Sequence, residues 1–132
     1  MISSELQEQL LQRAREAQQN AYAPYSKFRV GAAILLDNGE IFTGCNVENA
    51  SYGLTNCAER SAIFAAVSSL GGAHIRISAV AVVNDHNAPC SPCGACRQVI
   101  AEFGPDAVIW YQGRNGVQQS TIRELLPECF RL

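Results

Sequence analysis

The sequence predicts an α/β fold in which a mixed, mainly five-stranded sheet lies between helical layers, in a three-layer α/β/α arrangement. Three observations support it: an amphipathic helix comes first, a hairpin follows, and strand and helix patterns then alternate. The 132 residues can bury roughly two thirds of their unfolded surface without disulfides. We therefore expect a single domain over residues 1–132.

The first helix is the most clearly patterned element. Apolar residues recur at helical spacing from Leu6 to Ala21, and Pro24 is expected to lie near the helix end. Ser4 is suited to the N-cap, with Gln7 placed to complete a capping box.

The later elements are separated by turn residues and glycines. In chain order they are a strand at 27–36, a turn at 37–39, a strand at 40–47, a polar loop at 48–56, a helix at 57–70, a strand at 75–83, a helix at 92–103, a strand at 107–111, a turn at 113–116, a short strand and a short last helix. Thr121 and Glu124 match a capping box for that last helix, which Pro127 should end.

Composition disfavours several classes of function. The net charge is −2 with no basic stripe, which disfavours a nucleic-acid polymer as ligand but not a nucleoside. The sequence does not open with basic residues followed by an apolar run, which is the pattern of a secretory signal. No apolar run is long enough to span a bilayer. We therefore expect a cytoplasmic protein whose six cysteines are thiols or metal ligands.

Three equally spaced cysteines, Cys90, Cys93 and Cys96, offer two overlapping C-x-x-C pairs. Pro92 fits the first position of a helix, which makes Ser91 the expected N-cap. Cys93 and Cys96 then lie in the first turn, where residues three apart share a face. Free amide hydrogens and the helix dipole favour thiolates there. We therefore favour Cys93 and Cys96 as metal ligands and expect Cys90 to point elsewhere.

A catalytic zinc ion needs three protein ligands and leaves its fourth position to water. Cys57 supplies the third, at the start of the helix that Asn56 or Thr55 could cap. Glu59 follows two residues later, so it can serve the same site only if the site lies over the helix end. The spacing C-x-E before P-C-x-x-C is the signature of zinc-dependent deaminases.

Two rival interpretations remain open. A redox C-x-x-C pair in the later helix would leave Cys57 and Glu59 without a role. A structural zinc site could be closed by Cys90 as a fourth ligand. Cys45 and Cys129 are interpreted as small buried hydrophobic residues.

Taken over nearly its whole length, the chain resembles the short, single-domain, homotetrameric cytidine deaminases. The matching segments are Ala23–Phe28, Val30–Ala33, Gly44–Ala50, Asn56–Arg60, Pro92–Gln98 and Glu124–Pro127. The resemblance implies a cytidine deaminase-like fold, one Zn²⁺ per subunit, and deamination of cytidine and deoxycytidine to uridine and deoxyuridine in pyrimidine salvage. It also implies a homotetramer whose subunits share their sites.

The resemblance assigns substrate contacts to five residues. Phe28 is expected to pack against the base, Asn46 and Glu48 to bind the region of the ribose 3′-hydroxyl, and the amide of Ala58 to contact the pyrimidine. Phe130 takes the place of a C-terminal aromatic residue that reaches a neighbouring site.

The resemblance and zinc-deaminase chemistry also imply the reaction path. Water activated by zinc attacks C4 of cytosine while Glu59 transfers protons. Three thiolates leave the zinc centre negative, so we expect Arg60, on the same helix face as Cys57, to balance that charge. Three other functions remain to be compared: a deaminase of antibiotic nucleosides such as blasticidin S, a zinc-stabilised binding module, and a nucleic-acid deaminase, which the acidic charge disfavours.

Overall fold

A computed structural model describes residues 2–132 of the chain. These residues form five β-strands and four α-helices. They are α1 (Ser4–Gln18), β1 (Val30–Leu36), β2 (Ile41–Cys45), α2 (Ala58–Leu70), β3 (Ile77–Asn84), α3 (Gly94–Phe103), β4 (Val108–Gly113), β5 (Gly116–Thr121) and α4 (Ile122–Leu125). Two 3₁₀ helices, Tyr52–Leu54 and Gly72–His74, lie in the connections before and after α2.

The strands form one mixed sheet in the order β2-β1-β3-β4-β5. Only the β3–β4 pair is parallel, since β1–β2, β1–β3 and β4–β5 are antiparallel. α1 covers one face, where Leu10 and Ala14 pack with Trp110 in one buried cluster. α2, α3 and α4 cover the other face, where Ile63 and Ile100 belong to a second cluster. The predicted five-stranded sheet between helical layers is confirmed.

Two glycines allow helices to lie directly on the sheet. A Cβ at Gly44 of β2 would lie 2.6 Å from the carbonyl oxygen of Ala58 in α2. On the opposite face, a Cβ at Gly31 of β1 would lie 2.7 Å from the amide nitrogen of Gln18 in α1. Because both neighbours are backbone atoms, no side-chain rotation could make room for a methyl group.

α1 starts and ends differently from the prediction. Its N-cap is Ser3, whose hydroxyl accepts a hydrogen bond from the amide of Leu6 at 3.1 Å, so the predicted cap at Ser4 is wrong by one residue. The helix ends at Gln18, well before Pro24. The chain turns away because the amide of Tyr22 donates to the carbonyl oxygen of Asn46 at 3.0 Å.

The hairpin strands are shorter than predicted. β1 starts at Val30 and not at residue 27, because Lys27 has the left-handed φ of 60° and interrupts the extended chain. β2 ends at Cys45, after which Val47 forms isolated bridges with Tyr22 and Asn56.

The later elements differ by at most two residues from their predicted bounds, as is usual for element ends. The capping box of Thr121 and Glu124 is present. Among residues 2–132, no helix combines the length and apolar character that crossing a membrane requires.

Candidate active site

Three thiols meet where α2 and α3 begin. The sulfur atoms of Cys57, Cys93 and Cys96 all lie within 4.8 Å of one another, and those of Cys57 and Cys93 are 3.9 Å apart. Cys57 is the N-cap of α2, Cys93 is the N-cap of α3, and Cys96 lies in the first turn of α3. Two helix N-termini therefore face one small volume, which favours anionic sulfur there.

The predicted caps of these two helices are wrong. Ser91 does not cap α3, since its hydroxyl accepts from the Arg97 guanidinium at 2.8 Å, and Pro92 precedes the helix. Neither Asn56 nor Thr55 caps α2, since its N-cap is Cys57. In both helices a cysteine occupies the N-cap and makes no side-chain capping bond. Cysteine is a poor cap, so the arrangement is better explained by its sulfur chemistry than by helix stability.

Cys90 lies outside the cluster. Its amide donates to the carbonyl oxygen of Gln112 at 2.9 Å, which anchors this segment to the end of β4. The geometry groups Cys93 and Cys96 with Cys57 and leaves Cys90 on the wall of the adjoining pocket.

The cluster is arranged to hold negative charge. The Arg60 guanidinium donates to the sulfur of Cys57 at 3.2 Å. A hydrogen bond from Cys96, followed by the hydrogen bond and charge of Arg60, lowers the pKa of Cys57 to about 5. The pKa of Cys96 is raised, because its proton is held in the bond to Cys57 and the side chain is buried. The bond to Cys96 and the charge of Arg60 thus both favour the anionic form of Cys57.

Arg60 is held by the sulfur atoms. Hydrogen bonds to Cys57 and Cys96 raise the pKa of its guanidinium, so it stays charged. Its buried Nε has no hydrogen-bond partner among the described residues. A partly buried cation with an unused, buried donor is costly unless nearby anions compensate it. The position is consistent with an anionic centre beside it.

Glu59 is the buried acid of the site. Only 4% of the residue is exposed. Burial raises the pKa of its carboxyl to about 7, and the charge of the Cys57 thiolate acts in the same direction. A carboxyl group with such a pKa can both accept and donate a proton near neutral pH.

Two of the clustered cysteines and Glu59 line one pocket of about 450 Å³. A volume in this range suits a small organic ligand. The predicted residues along its walls are Phe28, Asn46, Glu48, Cys57, Ala58, Glu59 and Cys93. Glu59 and Cys57 line the same space, so the site lies over the end of α2 and not along its flank. Ala58 is the first residue of that helix, and its amide has no intrahelical acceptor.

Asn46 and Glu48 also hold the pocket wall. The Asn46 amide oxygen accepts from the amide of Val30 and its nitrogen donates to the carbonyl oxygen of Phe28, both at 2.8 Å. The Glu48 carboxylate accepts from the amides of Tyr25 at 2.9 Å and Ser26 at 3.1 Å. Hydrogen bonds from Ser26, chiefly from its hydroxyl, hold the pKa of Glu48 below its ordinary value.

Phe130 does not reach the pocket of its own chain. The residue is 70% exposed, and its carbonyl oxygen accepts from the Gln98 side chain at 3.2 Å.

Sequence reasoning missed two supports of the site. Ser26 joins Glu48 to Phe28, since its hydroxyl contacts the carboxylate and accepts from the amide of Phe28 at 3.0 Å. Ser26 lies in a segment that the resemblance matched, so its proximity to Phe28 could have drawn attention to it. His86 makes an edge-to-face contact with the ring of Phe28, which is distant in sequence, and no local pattern indicates that contact.

The donor set fits zinc. Three soft sulfur donors meet on two rigid helix starts, and one side of the cluster opens to the pocket. A closed structural site would need a fourth protein ligand, and none joins the cluster among the residues described. The arrangement matches the three-ligand pattern of catalytic zinc.

Comparisons with known proteins agree with this chemistry. The family model for the cytidine and deoxycytidylate deaminase zinc-binding region matches residues 4–112. A cytidine deaminase of Sporosarcina psychrophila is 49% identical over 126 residues, covering 93% of this chain and 90% of the relative. One of Halalkalibacterium halodurans is 49% identical over 123 residues, covering 92% and 91%.

A solved structure extends the similarity to the fold. The crystal structure of cytidine deaminase from Burkholderia pseudomallei matches with a TM-score of 0.85 at 42% identity, covering 98% of this chain and all of that one. With a matching family model, close relatives and a shared fold, this chain belongs to the cytidine and deoxycytidylate deaminase family, whose members carry this zinc-binding region.

Proposed function

We propose that the protein is a zinc-dependent hydrolase that converts cytidine and deoxycytidine to uridine and deoxyuridine and releases ammonia. One observation carries the proposal: Cys57 and Cys93 of the three-thiol cluster line the same pocket as the buried Glu59, where α2 and α3 begin. The names of the relatives support cytidine as the substrate.

Cys57, Cys93 and Cys96 are the proposed ligands of one Zn²⁺ per subunit. When bound, zinc would supply Lewis-acid activation of water, whose pKa it can lower to about 7. Arg60, which donates to the sulfur of Cys57 at 3.2 Å, compensates the excess negative charge of three thiolates.

Glu59 is the proposed proton carrier. Its carboxylate accepts a proton from the attacking water and delivers it to N3 of the pyrimidine as oxygen bonds to C4. It then takes the remaining proton of that oxygen and gives it to the departing amine, so the C4–N4 bond breaks and ammonia leaves. A pKa of about 7 suits both roles at neutral pH.

The pocket walls are the proposed nucleoside contacts. Phe28 packs against the base, and the free amide of Ala58 donates to the pyrimidine. Asn46 and Glu48 bind the sugar hydroxyls. Their backbone contacts leave some of their side-chain donors and acceptors free for these hydrogen bonds.

We also propose a homotetramer in which neighbouring subunits complete each site. Large apolar side chains stay exposed beside the pocket, among them Tyr25 at 49%, Tyr52 at 75% and Leu54 at 71%. The rings of Tyr25 and Tyr52 contact each other with centroids 6.2 Å apart, and exposed apolar patches are typical of protein interfaces. Phe130, exposed on the tail, is the proposed contribution to a neighbouring site. Sedimentation analysis should give four times the mass of one chain.

The cytoplasm is the proposed compartment and pyrimidine salvage the proposed pathway. All six cysteines are free, as a reducing compartment would keep them. A single deaminase domain over residues 1–132 is the simplest organisation, because one sheet supports both buried clusters.

The direct test follows cytidine to uridine and ammonia, with zinc measured on the same sample. We expect activity proportional to zinc content, loss after chelation and recovery when zinc is restored. A zinc-loaded protein that releases no ammonia from cytidine would be a binding module instead. Turnover of blasticidin S in preference to cytidine would identify the antibiotic-nucleoside activity.

A further inference from the structure

His86, in the loop after β3, contacts the aromatic wall of the pocket. The ring centroids of His86 and Phe28 are 5.2 Å apart with their planes at 76°, an edge-to-face arrangement. Such pairs add stabilisation beyond the area that they bury and restrict the orientation of both rings. Phe28 lines the pocket together with Glu59 and Cys57, whereas His86 does not line it.

A second contact joins His86 to the residue before Phe28. Its Nε2 lies 3.0 Å from the carbonyl oxygen of Lys27. The carbonyl can only accept, so Nε2 carries the hydrogen; a carboxylate oxygen of Asp85 lies 3.5 Å from the same nitrogen. Lys27 adopts the left-handed φ of 60°, which residues other than glycine seldom adopt. His86 therefore supports an unfavourable backbone conformation next to the pocket wall.

The loop that carries His86 is itself firmly held. The side-chain oxygen of Asn84 accepts from the amides of His86 and Ala88, both at 3.0 Å. The amide of Arg29 donates to the Asp85 carboxylate, and the amide of Asp85 donates to the carbonyl oxygen of Arg29, each at 3.1 Å. Hydrogen bonds thus hold the loop against residues 27–29 and fix the position of His86.

We propose that His86 is a positioning residue that orients the Phe28 ring toward the pyrimidine. The inference rests on the proposed function, because it takes Phe28 as a substrate contact. His86 acts through Phe28 and does not touch the reacting atoms. Glu59 and the three clustered cysteines lie at the starts of α2 and α3, away from the loop of His86. Removing His86 should therefore weaken nucleoside binding and leave the chemical step and the metal unchanged.

The test compares variants of the zinc-loaded enzyme. For His86→Ala we expect KM for cytidine to rise about three- to tenfold, with kcat changed less than about twofold. Zinc content should be unchanged. His86→Phe, which restores a ring edge but not the hydrogen bond, should recover part of the loss. His74→Ala is the matched control, because His74 precedes β3 and lies at the opposite end of that strand from His86.

A double-mutant cycle separates positioning from general destabilisation. If His86 acts through Phe28, then His86→Ala should raise KM no further in a Phe28→Leu background. An unchanged KM in His86→Ala, or an equal increase in both backgrounds, would overturn the inference while cytidine turnover by the wild type keeps the proposed function intact. A zinc-loaded wild type without cytidine turnover would refute the proposed function itself and the inference with it.

Discussion

Gly44 of β2 lies beneath the first turns of α2, and replacing it with alanine should move that helix. The new methyl carbon would lie 2.6 Å from the carbonyl oxygen of Ala58 and 2.9 Å from a backbone carbon of Ser61, whereas ordinary contacts begin at 3.4 Å. Both atoms belong to the helix backbone, so relief requires the helix to shift by about 1 Å. Cys57 and Glu59 would move with it.

The expected magnitude has two parts. Overpacking of this kind costs about 1–3 kcal/mol in the free energy of unfolding, which urea titration can measure. Displacing a proton-transfer group by about 1 Å can cost up to about 100-fold in rate. We therefore expect Gly44→Ala to fold, to bind zinc more weakly, and to lose about ten- to 100-fold in kcat/KM for cytidine.

Gly31→Ala provides the matched control. Gly31 makes the same kind of close approach to α1 on the other face of the sheet, and α1 contributes no residue to the pocket wall. It should lose comparable stability but keep its zinc affinity and most of its activity. If the two variants lost activity equally, the reasoning that Gly44 sets the position of the site would be wrong.

The remaining predictions concern four side chains of the site. Glu59→Gln should retain zinc and lose about 100- to 10,000-fold in kcat, and near-normal turnover would remove it as the proton carrier. Arg60→Gln should bind zinc and turn over more slowly; an unchanged pH–rate profile would show that it does not balance the thiolate charge. Cys90→Ser should keep the zinc content per chain, since a loss would make Cys90 a ligand. Hydrogen bonds from Ser26 lower the pKa of Glu48. The stability that the Glu48 carboxylate contributes is therefore present at neutral pH and is lost as the pH falls. In Glu48→Gln, the thermal midpoint should decline less steeply between about pH 5 and pH 3 than in the wild type. An unaltered decline would contradict this.

Features set by neighbouring residues could be predicted from the sequence. The capping box of Thr121 and Glu124 and the turn between β1 and β2 depend on a few adjacent side chains, and both are present. The helix starts at Cys57 and Cys93 were misplaced, because capping rules favour serine or asparagine and take no account of metal chemistry.

Long-range support of the pocket could not be predicted in this way. The contact between His86 and Phe28, and the use of the Asn46 side chain as a partner for β1, depend on how loops from distant parts of the chain meet. Hydrophobic periodicity and secondary-structure propensity carry no information on contacts between loops that are distant in sequence. The resemblance named Phe28 and Asn46 as substrate contacts but did not indicate what holds them in place.

The cysteine N-caps of α2 and α3 link metal supply to the integrity of the fold. Neither helix start has a side-chain capping bond of its own. An ion shared by the two caps would fasten both starts at once, in place of two separate serine or asparagine caps. Shortage of zinc would then loosen the starts of both helices together. The zinc-free protein would be inactive and would also unfold and be degraded more readily than the zinc-loaded protein.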